Sequence, residues 1–142
     1  MDLKTAIAFP LIAVFLVLSV WHVYWVLGGR VGRDAAIPEV DGKPVFKQST
    51  VTTFLVAVAL VLCALLVAAT AGLVSFPWSP TLLRWLTEAL AVVLLLRAIG
   101  DFRLVGFFKR IRGTRFAHLD TVAYSPLSLL LAIGSSIVGF LS

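Results

Sequence analysis

Four long apolar stretches, separated by polar segments, dominate the hydrophobic pattern of the chain. They cover roughly residues 5–27, 51–75, 81–100 and 121–141. Each is long enough to cross a bilayer as a helix, which needs about 20 apolar residues. The stretches are continuous and rich in Leu, Ala and Val, unlike the short alternating segments of a membrane β-barrel. The pattern therefore predicts an all-α membrane protein: a four-helix transmembrane bundle forming a single domain over residues 1–142.

The polar segments set the expected ends of these spans. Gly28-Gly29 ends the first span as a helix stop, and the absence of a small-residue cleavage site indicates a retained segment rather than a signal peptide. The short turn at 76–80 predicts that the second and third spans are antiparallel neighbours. The start of the fourth span stays open. Ser125-Pro126 can be an N-cap and first helical position, with Asp120 to Tyr124 as a turn, or helix can continue through them.

Composition supports the membrane assignment. The chain is 61% hydrophobic and 13% charged, with a mean hydropathy of +1.06, whereas soluble domains are about 45–50% apolar and about 25% charged. The net charge of +5 is expected to report topology and lipid contact before nucleic acid. The single cysteine, Cys63, lies in an apolar run, and no Cys/His cluster has metal spacing. We expect no metal, no cofactor and no nucleic-acid partner.

Loop charge predicts the orientation. The loops after the first and third spans lie on one side and hold nine basic residues, which are Arg30, Arg33, Lys43, Lys47, Arg103, Lys109, Arg110, Arg112 and Arg115. The opposite side holds Lys4 and Arg84. The positive-inside rule places both loops in the cytoplasm and both termini outside, in a multi-pass protein of the inner (plasma) membrane.

This topology brings polar residues of three spans to one depth on the cytoplasmic side. His22 is the most unusual of them, because an ionisable side chain in an apolar span is costly and marks a functional site by default. Arg97 and Asp101 are four residues apart, so they can pair on one helix face; Asp120 is an alternative partner for Arg97. One interpretation is a purely structural network of hydrogen bonds and ion pairs that holds the helices together.

The other interpretation is a small ligand pocket at the inner membrane surface. Its expected ligand-binding residues are His22, Tyr24, Trp25, Arg97, Asp101, Arg103, Asp120 and Tyr124. Histidine changes charge near neutral pH, and the arginines would hold an anionic head group. Acid–base work on a lipophilic substrate would draw on His22, Asp101, Asp120 and Tyr124 as catalytic candidates, and whether the protein is an enzyme stays open.

Three further patterns lead to local expectations. The segment 102–116 mixes aromatic and basic residues, which predicts contact with anionic lipids of the inner leaflet through Lys109, Arg110, Arg112 and Arg115. Ala64, Ala68 and Gly72 recur at four-residue spacing and predict a face for close helix packing, within the chain or between copies. Glu88, four residues after Arg84, is expected to pair with it at the surface, with a proton site as the alternative.

Three stretches together carry a family resemblance. They are HVYWVLGG at 22–29, RAIGDFR at 97–103 followed by GFFK at 106–109, and FA at 116–117 followed by DT at 120–121 and YSPL at 124–127. With them the chain resembles an uncharacterised family of small bacterial four-span membrane proteins, catalogued as a domain of unknown function. The resemblance implies a four-helix membrane protein and supplies no reaction.

Three functions are consistent with these patterns. The first is a small membrane protein whose polar site at the cytoplasmic interface binds or modifies a lipophilic or anionic lipid-like ligand. The second is a structural or accessory subunit of a larger membrane complex, with a membrane-protein partner. The third is an oligomeric transporter, although the chain has no obvious inverted repeat.

Overall fold

Helices make up nearly all the regular structure of the computed structural model, which describes residues 1–142. They are α1 (Leu3–Val26), α2 (Thr50–Thr70), α3 (Pro80–Ile99), the short α4 (Arg115–Leu119) and α5 (Ser125–Phe140). A π-helical segment, Asp120–Tyr124, joins α4 to α5, so that Arg115–Phe140 runs as one helix of 26 residues. The all-α prediction is confirmed.

The connection between α1 and α2 is folded back on itself. It contains a 3₁₀ turn, Asp34–Ala36, and two antiparallel two-residue strands, β1 (Glu39–Val40) and β2 (Lys43–Pro44). Its Ala35 and Ile37 are buried, and the 3₁₀ turn packs against α4. This loop therefore covers one end of the helices.

Polar residues begin four helical segments by the same mechanism. The side chain at the N-cap accepts a hydrogen bond from a backbone N–H three residues on, which satisfies a donor that has no partner inside the helix. The N-cap residues and their donors are Asp2 with Thr5, Ser49 with Thr52, Ser79 with Leu82, and Thr114 with Ala117. Hydrophobicity thus places the helices, and these short polar side chains determine where they start.

Three helical segments are long and apolar enough to cross a membrane: Leu3–Val26, Thr50–Thr70 and Arg115–Phe140. The fourth predicted span, α3, has 20 residues but carries Arg84, Glu88 and Arg97, and it does not meet the same apolar criterion. The last of these helical segments starts at Arg115, not near residue 121 or at Ser125. Of the two alternatives for residues 120–124, the turn is wrong and the continuous helix is present, because Thr114 caps the helix earlier and π-helical bonds carry it through.

The helices pack as two pairs. α1 lies along α2 and α3 lies along α5, and the pairs meet through α1–α5 and α2–α3 contacts. The core joins residues of both pairs, namely Ala8, Leu11, Phe15, Ala64, Val67, Ala71, Leu131 and Val138. Ser19 Oγ donates to the Ala57 carbonyl oxygen at 2.8 Å, so that α1 and α2 approach closely. The predicted antiparallel contact of α2 with α3 is present, with Thr70 Oγ1 and Thr87 Oγ1 2.8 Å apart.

The predicted small-residue face is only partly helical. Ala64 and Ala68 are buried within the chain, but α2 ends at Thr70. Gly72 lies beyond that end with φ +80°, so it does not extend the face.

We call the end of the bundle where α1 and α3 finish, and α2 and α5 begin, the polar end. The predicted Arg84–Glu88 pair at the opposite end does not form, since both ion pairs of the molecule are made by Asp120. Glu88 Oε2 instead accepts a hydrogen bond from Ser136 Oγ on α5 at 2.9 Å.

Candidate functional site

Asp120 is the centre of the polar end. It lies in the π-helical segment and is fully buried. Its Oδ1 accepts from Arg97 Nη2 at 2.8 Å, and its Oδ2 accepts from Lys109 Nζ at 3.0 Å and from the Gly106 backbone N–H at 2.7 Å. A buried carboxylate needs such partners, because each lone pair left without a donor costs free energy.

Lys109 does not lie at the lipid interface, where the sequence predicts it. It is buried, with 2% of its surface exposed. Besides Asp120, its ammonium group donates to the Gly106 carbonyl oxygen at 2.9 Å and to Thr121 Oγ1 at 2.6 Å. Three acceptors satisfy all three N–H groups, and the compact loop before α4 turns the side chain inward rather than toward lipid.

Arg97 pairs with Asp120 and not with Asp101. The predicted i, i+4 pair fails because α3 ends at Ile99, so Asp101 no longer lies on the same helix face. Arg97 Nη1 is buried and has no hydrogen-bond partner. The ionic cluster of Arg97, Lys109 and Asp120 therefore contains two positive charges against one negative charge, with one donor group unused.

Asp101 has a local structural role. Its Oδ1 accepts from the backbone N–H groups of Arg103, Leu104 and Val105 at 2.9, 2.7 and 3.0 Å. The little burial it has acts to raise the pKa of Asp101, but these backbone hydrogen bonds outweigh that effect and hold the pKa below its ordinary value. The carboxylate thus holds the loop after α3, the loop that brings Gly106 and Lys109 to Asp120.

An apolar cleft of about 580 Å³ opens beside the ionic cluster, between the two helix pairs. Its polar lining comes from His22 on α1, Arg97 on α3, and Tyr124 and Ser128 at the start of α5. The remaining lining is mostly apolar and aromatic: Phe15, Val17, Leu18, Trp21, Trp25, Gly32, Ala36, Leu60, Leu94, Phe116, Leu127 and Leu131. The cleft therefore has a polar group of four side chains at one end and a long apolar wall.

His22 is oriented by its own helix. Its Nδ1 lies 2.7 Å from the Leu18 carbonyl oxygen, and its ring packs edge-on against Trp25, with centroids 4.9 Å apart. A carbonyl oxygen only accepts, so Nδ1 carries the hydrogen and Nε2 remains the nitrogen without a protein partner. In the half-buried neutral imidazole Nε2 is therefore an acceptor, and in the imidazolium form it is a donor to an anionic ligand.

Trp25 and Tyr124 tie the α1–α2 loop to the cleft. Trp25 Nε1 donates to the Val31 carbonyl oxygen at 2.8 Å, and Tyr124 Oη donates to the Ala35 carbonyl oxygen at 3.0 Å. Both residues satisfy their polar atom on this loop and present their rings to the cleft. The loop closes the cleft at the polar end.

The structure therefore divides the predicted ligand-binding set. His22, Trp25, Arg97 and Tyr124 line one cleft. Asp120 lies behind Arg97 within the ionic cluster, and Asp101 and Arg103 are exposed in the loop after α3. Tyr24 is on the other face of α1, where its ring lies against Gly29 and its hydroxyl accepts from the Val31 N–H at 3.4 Å.

The other predicted lipid-interface residues lie outside the cleft. Arg110, Arg112 and Arg115 are exposed, and Arg112 and Arg115 line a separate surface hollow of about 470 Å³ with His118.

Sequence reasoning missed several residues of the site. Lys109 is expected at the lipid interface, and Thr121 and the Gly106 N–H have no expected part in the site. Ser128 is different, because a helix through Asp120 and Tyr124 places it on the same polar face by its four-residue spacing. For Lys109 the sequence holds no such signal, because the loop between α3 and α4 has no regular periodicity that indicates which side faces inward.

Comparison with known proteins places the chain in a family. No curated protein and no solved structure matches it. One family model matches residues 15–135, which include every residue that lines the cleft or forms the ionic cluster, and the family is described as a protein of unknown function (DUF3995). The resemblance to an uncharacterised family is confirmed, and the chain belongs to the DUF3995 family.

Proposed function

We propose that this chain is a four-span protein of the inner (plasma) membrane whose cleft binds an anionic, lipid-like amphiphile. The head group would lie against His22, Arg97 and Tyr124, and the hydrocarbon chain along the apolar wall. The observation that carries the proposal is the cleft itself, in which those three side chains adjoin a long apolar surface. Ligand sites are characteristically apolar with a few polar groups that orient the ligand.

The charge of the ionic cluster favours an anionic ligand. Arg97 and Lys109 together exceed the charge of Asp120 by one positive unit, and an uncompensated charge away from water is costly. Arg97 lines the cleft, and 34% of its side chain is exposed. An anionic head group in the cleft would supply the missing negative charge.

Binding is the core of the proposal, and His22 is its proton-transfer group if the ligand is also modified. The Leu18 carbonyl oxygen holds Nδ1 of His22, so Nε2 is the ring nitrogen that is free to exchange a proton with a ligand. Asp120, fully engaged by Arg97, Lys109 and Gly106, is a positioning residue rather than an acid or base.

We expect His22→Ala to raise the Kd for the amphiphile about tenfold, because a hydrogen bond to a charged partner contributes about 1.5 kcal/mol or more; the fraction of protein carrying the amphiphile falls accordingly below saturation. Native mass spectrometry of gently solubilised protein measures that fraction. His118→Ala is the matched control, since His118 lies outside the cleft and its loss should change nothing.

A second variant tests the cleft without removing a polar group. Leu127→Trp fills the cleft, whereas Leu130→Trp on the same helix faces outward, with 65% of Leu130 exposed. Loss of the ligand in the first variant alone supports the proposal. A wild-type protein that carries no ligand would contradict the proposal. A hetero-complex that neither tryptophan variant disturbs would instead indicate an accessory subunit. Ion or solute flux in vesicles that stops with His22→Ala would indicate a transporter.

The four-span arrangement, with both termini outside, is part of the proposal. The basic residues of the loops after α1 and α3 support it, because such residues are retained in the cytoplasm. The exposed Arg110, Arg112 and Arg115 would then face anionic lipids of the inner leaflet. Two of the charges in α3 are compatible with a span, since Arg97 is paired with Asp120 and Arg84 lies one turn from the N-terminal end.

We expect reporters fused at each terminus to read extracytoplasmic, and a reporter inserted at Asp41-Gly42 in the α1–α2 loop to read cytoplasmic. Paired alkaline phosphatase and fluorescent protein fusions measure this. Termini on opposite sides would mean that α3 does not cross, and termini both in the cytoplasm would mean that the orientation is inverted.

A further inference from the structure

Glu88 is an acidic side chain within the helical bundle that the proposed cleft does not use. It lies eight residues after the start of α3, about 12 Å along the helix. Its Oε2 accepts from Ser136 Oγ, and Ser136 belongs to a segment long and apolar enough to span a membrane. A small cavity of about 190 Å³ beside it is lined otherwise by apolar residues of α3 and α5.

No cation of the chain compensates this carboxyl group. The helices that pack on α3 are α2 and α5, and neither contains a charged residue. Arg84 and Arg97 share α3 with Glu88, and Lys4 lies at the start of α1. None of the three makes an ion pair with Glu88, because both ion pairs involve Asp120.

The carboxyl group of Glu88 packs closely on the backbone of α5 at Gly139. A Cβ atom at Gly139 would lie 2.6 Å from Glu88 Oε1, so a larger residue there would displace the end of the Glu88 side chain. Ser136 occupies Oε2 and leaves Oε1 as the oxygen that is free to take a hydrogen. The site thus has one donor for the carboxyl group but no balancing charge.

We propose that Glu88, with Ser136 and Gly139, is a proton-binding site inside the bilayer. The inference rests on α3 crossing the membrane as proposed above. A carboxylate without a cation in hydrocarbon is far more costly than a neutral acid. A proton from the medium supplies the missing positive charge, and the neutral acid keeps its hydrogen bond with Ser136.

A hydrophobic carbodiimide tests the proposal on the protein reconstituted in vesicles. A protonated carboxyl group adds across one C=N bond of the reagent, and the O-acylisourea rearranges to a stable N-acylurea. No atom is lost, so the peptide gains the mass of one reagent molecule. We expect dicyclohexylcarbodiimide to label Glu88 and a charged, water-soluble carbodiimide to label Asp41 in the exposed loop but not Glu88.

The dependence of Glu88 labelling on pH and on sodium shows whether a proton or a sodium ion occupies the site. Labelling of Glu88 should fall roughly tenfold per pH unit once the proton is lost, and Glu88→Gln should abolish it without changing amphiphile binding in the cleft. Exchange of choline chloride for sodium chloride at constant ionic strength should have no effect. Protection by sodium would overturn the proposal in favour of a sodium site.

The remaining outcomes separate this inference from the four-span proposal. Glu88→Cys, in a chain with Cys63→Ala, reports through its reaction with a charged maleimide whether position 88 is accessible to water. If neither carbodiimide labels Glu88 and the cysteine is protected, α3 crosses the membrane and the proton site is overturned. If the charged reagents reach position 88, both proposals fail together.

Discussion

Replacing Asp120 with alanine should lower the free energy of unfolding by about 3–5 kcal/mol, the cost typical of breaking a buried ion pair from one side. The loss is large because two cations remain: Lys109 is buried and would keep only the Gly106 carbonyl and Thr121 as acceptors, and Arg97 would lose its only acceptor. The Gly106 N–H would also lose its partner. Titration with dodecyl sulfate in mixed micelles, followed by circular dichroism, measures the change.

Two comparisons sharpen the Asp120 prediction. Asp34→Ala removes an exposed carboxylate that makes no ion pair, so it should change stability by no more than about 0.5 kcal/mol. In a double-mutant cycle, Lys109→Met should recover part of the loss caused by Asp120→Ala, because the second change removes a charge that the first leaves unpaired. Equal effects of the Asp34 and Asp120 variants would mean that the ionic cluster does not stabilise the fold.

Replacing Gly100 with alanine should lower the free energy of unfolding by about 3 kcal/mol or more. Gly100 ends α3 with φ +89° and ψ −169°, a region that is essentially restricted to glycine and costs other residues about 1–3 kcal/mol. An added Cβ atom would also overlap the carbonyl oxygen of Val105, so the backbone must move. The same detergent titration measures the loss.

Gly113→Ala is the matched control for Gly100. Gly113 also has a positive φ of +91°, but nothing lies within 4 Å of an added Cβ atom, so only the conformational cost of about 1–2 kcal/mol remains. The difference in stability between the two variants measures the cost of the close contact between Gly100 and the backbone of Val105. If both variants lose the same free energy of unfolding, this contact contributes nothing.

The Gly100 and Asp120 variants should not be additive. The loop that Gly100 permits carries Gly106 and Lys109 to Asp120, so a displaced loop has already lost part of what Asp120→Ala removes. The double variant should therefore be less destabilised than the two single losses added together.

The sequence by itself determined the fold class of the protein and several residues that line the candidate cleft. Long apolar stretches identify helices that can span a membrane, since each is read from its own residues without knowledge of its neighbours. The same local reasoning singled out His22, Arg97 and Tyr124 as polar residues at one end of the bundle, and these line one cleft. The resemblance was equally local, because it rests on short motifs.

Only the tertiary structure decided which of these residues are partners. Asp101 is only four residues from Arg97, but α3 ends between them and they do not pair. Asp120 is 23 residues from Arg97, and the fold brings the two side chains into a hydrogen bond. Tyr124 finds its acceptor 89 residues away, at Ala35. Lys109 points inward because a glycine-dependent loop turns it there. Hydropathy depends on each residue's own transfer from water to lipid, whereas pairing depends on which chain segments the closed loops bring within hydrogen-bond distance.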